Sequence, residues 1–383
     1  MSMAVICSFK SPIFIKENRI MWKPVLIVSA ISATVFLLWP SPIDAIAEVR
    51  VPGVPLTGAY AANDYLQSVA PTPLPLGAEG PEDIEVGKDG CLYTGVADGN
   101  VLRRCPNAGE WETLINTGGR PLGLASMDDG SLIIADGYKG LLRWFEGELT
   151  VLADSYKNER LKVVDDVDVA HDGTIYFSDA SMRWTLDDYL YDVLEGRGTG
   201  RLFAYSPQGE LTVLAEGLGF ANGVAVSADQ TFVLVNETTR SQITRVWIAG
   251  PKTGSVDIFA EGLPGIPDGI AADDDGTFWV AMYNKRAAAI DDLAGLPWVR
   301  EQVAKLPESL MPIPAPYGFI VQFDQEGNPL QSLHDRAAVM VGEVTSVQPF
   351  KTEQQEGLNQ EGLYQQGLYI GTLHGKSIFT VTN

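Results

Sequence analysis

The sequence predicts an all-β fold: a six-bladed β-propeller with a helical insertion in the last blades, preceded by an N-terminal membrane segment. Three observations predict it. One hairpin pattern recurs six times. Helical periodicity is nearly absent between the copies. A single uncharged apolar run lies near the N-terminus behind a basic stretch.

Each copy is a polar turn followed by a strand of alternating or aromatic residues. The copies are KDGCLYTGV (88–96), DDGSLIIAD (128–136), HDGTIYFSD (171–179), ADQTFVLVN (228–236), DDGTFWVAM (274–282) and QQGLYIGTL (365–373). The first five recur every 40 to 60 residues, the size of a four-stranded sheet with its turns. A sandwich would not repeat one hairpin six times, and a doubly wound fold needs helices between its strands. Two stretches do have helical spacing, at 185–196 and 287–310. Both read as insertions between blade strands, able to cap a site on one face or to pack outside it.

The N-terminal part divides in two. Residues 1–23 are basic, with Lys10, Lys16, Arg19 and Lys23, and PVLIVSAISATVFLLWPSPI (24–43) is uncharged and just long enough to span a bilayer. Positive charge ahead of the run puts everything after it outside the cytoplasm. The run reads as a signal anchor. Ala45-Ile46-Ala47 offers the alternative of a cleaved signal peptide, with a secreted or periplasmic product. The propeller occupies residues 50–383. Cys91 and Cys105 flank a hairpin turning at Asp98-Gly99, which sets them opposite each other, and in an exported domain a disulfide fits.

Formal net charge is -22, which excludes the basic face of a nucleic-acid binder. Part of this acidity repeats at one place. Eight residues before the turn position stand Glu82, Leu122, Asp165, Asn222 and Asp268. In a propeller this is the start of the innermost strand, so four of these five blades aim an oxygen at one axis. Three converging carboxylates repel unless a cation sits among them. An all-oxygen set without Cys or His suits Ca²⁺ before Mg²⁺, and not Zn²⁺. Asp83 and Asp166 are the alternatives one residue along.

The stretches GPEDIEV, RPLGL, ADGYKGL, VVDDVDV, YFSDAS, FANGV and PGIPDGI together resemble the strictosidine-synthase-like and adipocyte plasma membrane-associated protein family. That family is a branch of the calcium-dependent six-bladed propellers, related to paraoxonases and to senescence marker protein/gluconolactonases. The likeness continues through RWTLDDYLYDVLEG, LPWVREQVAKL, SLHD and LYIGTLHG, and covers residues 50 to 383. It implies a calcium-dependent hydrolase of small ester or lactone substrates, of arylesterase type. The metal ligands carry over to Glu82, Asn222 and Asp268; the fourth, usually Asn, is Asp165 here. Related propellers use the acid at Asp268 in catalysis, with Asp165 next in order.

Two departures narrow the chemistry. The histidine that paraoxonases use is replaced by Leu122, and the glutamate of plant strictosidine synthases has only Thr345 and Ser346 in its neighbourhood. Condensation of the strictosidine type is therefore not expected. His171 reads as a solvated turn residue, and His374 lies near a channel end. A calcium-stabilised binding module at the membrane and a sugar-lactone hydrolase are the alternative functions.

Overall fold

The computed structural model describes residues 26, 29, 34–106, 109–311, 314–353 and 364–382. The chain forms two compact units, Met1–Pro42 and Ile43–Asn383. In the first, residues 34–38 are helical. No helix among the described residues is long and apolar enough to cross a membrane. The basic stretch 1–23 and most of the apolar run 24–43 lie outside the described residues.

The second unit is the propeller. Five blades are consecutive four-stranded antiparallel meanders, each running from the axis outward. Their innermost strands are Ile84–Val86, Pro121–Ser126, Val164–Val169, Ala221–Val226 and Gly265–Ala272. The sixth blade is built from both ends of the unit. Val344–Glu353, Tyr364–Thr372 and Ser377–Thr382 are followed at the outer edge by Ala70–Pro73, with Ala70 opposite Thr380. This closure joins the ring non-covalently and covers the outer edge of Ser377–Thr382, leaving Ala70–Pro73 as the exposed edge.

The repeated turns have one mechanism. The acid before the turn glycine accepts the backbone N–H two residues on, as Asp129 does from Ser131 at 2.9 Å and Asp275 from Thr277 at 2.9 Å. The glycine takes a left-handed conformation, for example φ +84° at Gly130, and Gln230 adopts φ +60° in its place in the fourth blade. Much of the negative charge is thus turn chemistry. Strand faces between blades carry the core, as where Phe232, Phe259, Phe278 and Phe323 pack together.

Cys91 and Cys105 are disulfide-bonded across neighbouring strands, 4.1 Å apart at Cα. Helical insertions occur in the third blade, as Tyr189–Glu195, and in the fifth, as Ala288–Asp291 and Pro297–Val303. The insertion is therefore not confined to the last blades. Both follow the second strand of their blade, at the end where the innermost strands begin. In the third blade Val164 pairs with Asp179, which fixes this polarity. The lead segment is tied to the same end: Ile46 N–H bonds Glu195 O at 3.1 Å and Glu48 N–H bonds Ala294 O at 3.0 Å.

Candidate active site at the end of the central channel

Three of the four candidate ligands stand where their innermost strand breaks register, and Glu82 lies two residues before its strand, Ile84–Val86. Pairing skips between Val164 and Val167, Ala221 and Val224, and Pro267 and Ile270, so that Asp165, Asn222 and Asp268 sit on bulges. The same break sets out Leu122 between Pro121 and Gly123. A bulge frees consecutive residues from strict alternation and re-aims their side chains. It also brings the next blade's backbone close. A Cβ on Gly223 would stand 2.4 Å from Asp268 O, and one on Gly269 2.4 Å from Thr345 O, so glycine is required there.

Glu82, Asp165, Asn222 and Asp268 all line one axial cavity of about 540 Å³. Asn222 lies beside the Asp268 carboxylate and lowers it against the push of burial. Burial, above all, raises Asp268 and Asp165 well above the usual carboxylate range, and the neighbouring acids add to it. Glu82 is also raised by burial, opposed by the Arg120 guanidinium. The ring is not closed to chelating distance. Among the described residues the only trio of Asp, Glu, His or Cys with ligand atoms all within 4.8 Å is Asp89, Cys91 and Cys105, whose sulfurs are already joined to each other.

A second layer lies one residue further along. Asp83 Oδ2 accepts the N–H of Leu124 at 2.8 Å, and Asp166 Oδ2 that of Val224 at 2.7 Å. A third layer repeats this: Glu85 accepts from Ser126 N–H at 2.9 Å and Asp168 from Val226 N–H at 2.7 Å. These acids bolt the first blade to the second and the third to the fourth. Asp83 and Asp166 thus have backbone partners of their own, unlike the first-layer acids Asp165 and Asp268.

The sixth blade contributes hydroxyls. Thr345 Oγ1 donates to Glu82 O at 2.7 Å, and Ser346 Oγ donates to Asp83 Oδ1 at 2.6 Å. The eight-residue offset does not find them, because a longer hairpin separates this strand from its turn. The sequence names Thr345 and Ser346 only through the family likeness, and it does not single out Arg120, an isolated cation two residues before Leu122. Its Nη2 donates to Glu82 Oε2 at 2.7 Å and to Gly80 O at 3.0 Å.

Beyond the ring the channel mouth is aromatic. Leu122 packs with Val163, Ala180 and Phe220, with Leu186 and Tyr189 against them. The position of the paraoxonase histidine is therefore filled by a core leucine. Tyr283 OH donates to Glu343 Oε1 at 3.3 Å, and His374 Nδ1 lies 3.0 Å from Glu343 Oε2. Burial raises the phenols of Tyr189 and Tyr283, and the charge of Asp268 contributes to both. His374 is thus at the ring end of the channel, whereas His171 lines the cavity beyond the layered acids.

A closed six-bladed propeller with acids layered along its axis defines the fold class: an axial-site β-propeller. Solved structures of that type are similar in fold. A gluconolactonase from Xanthomonas campestris superposes with TM-score 0.55 at 20% identity, covering 90% of this chain and 99% of that one. The calcium-binding protein regucalcin from Agrobacterium tumefaciens gives 0.51 at 16%, covering 81% and 90%. The sequence is more specific. The family descriptions Strictosidine synthase and Strictosidine synthase-like, N-terminal match residues 165–251 and 58–104. Strictosidine synthase-like protein 6 of Arabidopsis thaliana is 38% identical over 274 residues, covering 67% of this chain and 71% of that protein. Human adipocyte plasma membrane-associated protein is 35% identical over 295 residues, covering 70% of each. The chain belongs to the strictosidine synthase-like family.

Proposed function

We propose that the protein is a calcium-dependent hydrolase of carboxylic esters or lactones, with its metal at the first layer of the channel. The carrying observation is the ring itself. Glu82, Asp165 and Asp268 are buried together, each raised by burial and by a neighbouring acid, with only oxygen ligands beside them. A hard dication relieves that repulsion, and the donor set fits calcium. Glu82, Asp165, Asn222 and Asp268 would hold it. When bound, the ion supplies Lewis-acid stabilisation to a carbonyl oxygen gaining charge.

The chain's own residues do the rest. Asp268 receives the proton of the attacking water, or itself attacks the carbonyl, and Asn222 lies beside its carboxylate. Burial raises the basicity of this acid, and a calcium ion bound to it would lower it again. Asp165 is the second candidate for the role. Tyr189 and Tyr283, whose phenols feel the charge of Asp268, would border a substrate that approaches from the ring end of the channel. Ser346, near the place of the strictosidine synthase glutamate, is a hydroxyl engaged with Asp83, so the condensation reaction is not proposed.

A sugar-lactone hydrolase is the second reading, favoured by the fold likeness to gluconolactonase. We place the propeller on the extracytoplasmic side, anchored through residues 24–43 or released after cleavage at Ala45-Ile46-Ala47. The Cys91–Cys105 disulfide supports an oxidising compartment, and the name of the human relative supports a membrane association. A panel of aryl esters, alkyl lactones and sugar lactones, assayed with calcium and again with chelator, tests the proposal. Calcium-dependent turnover of aryl esters or alkyl lactones supports it. Preference for sugar lactones selects the second reading. Calcium binding without turnover of any of them would make the protein a binding module.

A further inference from the structure

Arg120 is 92% buried by its 8% exposure, at the start of the second blade's innermost strand. Its backbone N–H donates to Asp136 Oδ1 at 3.1 Å, which pins the main chain. Its side chain turns inward to Glu82 and Gly80 O, and its Nη1 is buried with no hydrogen-bond partner. The chain makes room for this group. Gly80 has φ +68°, and a Cβ there would meet Arg120 Nη2 at 3.1 Å and Leu373 O at 2.5 Å. A guanidinium seated this way, with one donor nitrogen unused, is not explained by the two bonds it makes.

The charge of the ring explains it. The first layer holds three carboxylates, Glu82, Asp165 and Asp268, and one carboxamide, Asn222. A divalent cation leaves one negative charge over, and Arg120 is the cation beside the ring that cancels it. We propose that Arg120 is the built-in counter-cation of the ring: it neutralises the extra charge of Asp165, restrains Glu82, and thereby weakens and sets the affinity for the metal. The proposal rests on the metal reading above and goes beyond it, by giving the affinity to a residue that is no ligand. Arg120 is a positioning residue, acting through Glu82.

Calcium titration calorimetry on the full-length chain tests it, paired with thermal unfolding in chelator. The variants are Arg120→Gln, Arg120→Lys, Asp165→Asn and the double variant Arg120→Gln/Asp165→Asn. Removing one positive charge this close to a dication should tighten binding on the order of tenfold or more. Arg120→Gln should therefore bind calcium tightest and be the least stable in chelator. Asp165→Asn should bind most weakly. The double variant should return close to the wild type, and Arg120→Lys should stay near it. If Arg120→Gln folds only with calcium, its release to a chelator reads the same affinity. Wild-type binding with no tightening in Arg120→Gln, or with Arg120→Lys matching Arg120→Gln, overturns the role of Arg120 alone. No wild-type calcium binding overturns the metal reading and this proposal together.

Discussion

Asp166 Oδ2 accepts the backbone N–H of Val224 at 2.7 Å, across the boundary between the third and fourth blades. Asp83 makes the same bond to Leu124 one blade pair earlier, at 2.8 Å. Burial, foremost, raises both acids, and the charge of Asp83 raises Asp166 further, yet each ties its blade to the next. Asp166→Ala should destabilise the propeller by about 1–3 kcal/mol, because it strands a buried donor. Urea unfolding measures this. A more stable variant would mean that relief of repulsion outweighs the lost bond.

Removing the Cys91–Cys105 link should cost about 3 kcal/mol, the usual value for a loop of about fifteen residues. The bond closes a sequence separation of 14 within the first blade. The double Cys→Ala variant should therefore melt lower than the wild type under oxidising conditions and equal to it under reducing ones. Equal melting in both would show that the bond contributes nothing.

Asp192, in the third-blade insertion, accepts from Ser181 Oγ and from Thr199 Oγ1. Burial, foremost, pushes its carboxyl up to about 6 from 3.8. Between those values the folded state keeps a proton that the unfolded state releases. Stability from this group is thus fullest below the unfolded value and declines as pH rises to the folded one. Asp192→Asn removes the dependence. Its unfolding free energy, relative to wild type, should rise between about pH 4 and 6 by up to about 3 kcal/mol. Parallel pH curves for the two proteins would contradict this.

Calcium should raise the melting temperature, since binding to the folded state alone stabilises it. Asn222→Ala should weaken that shift, with partial recovery at high calcium, because it removes one neutral ligand and leaves the three acids in place. An unchanged calcium shift in Asn222→Ala would remove Asn222 from the ligand set.

The parts of this molecule that repeat were legible in the sequence. Six turn-and-strand copies gave the blade number, and the constant offset to Glu82, Asp165, Asn222 and Asp268 placed them at one channel end. What did not repeat was missed. Ala70–Pro73 closes the sixth blade from far away in the chain, with no hairpin of its own to announce it. The sixth blade's Thr345 and Ser346 fell outside the offset, because the hairpin there is longer. Arg120 gave only the signal of one cation ahead of an apolar strand, and its partner Glu82 lies 38 residues away. The acids of the second layer look identical in sequence to those of the first; only their backbone partners separate the two roles.

The central claim is that Asp268 works on a substrate at a calcium site. The most direct test measures hydrolysis and calcium affinity together in wild type and Asp268→Asn. A carboxamide keeps an oxygen ligand but takes no proton and is a poor nucleophile. The account predicts calcium-dependent ester or lactone hydrolysis in the wild type. In Asp268→Asn it predicts a loss of about a hundred- to ten-thousand-fold in kcat, with most of the calcium affinity retained. Full calcium-dependent activity in Asp268→Asn would contradict it.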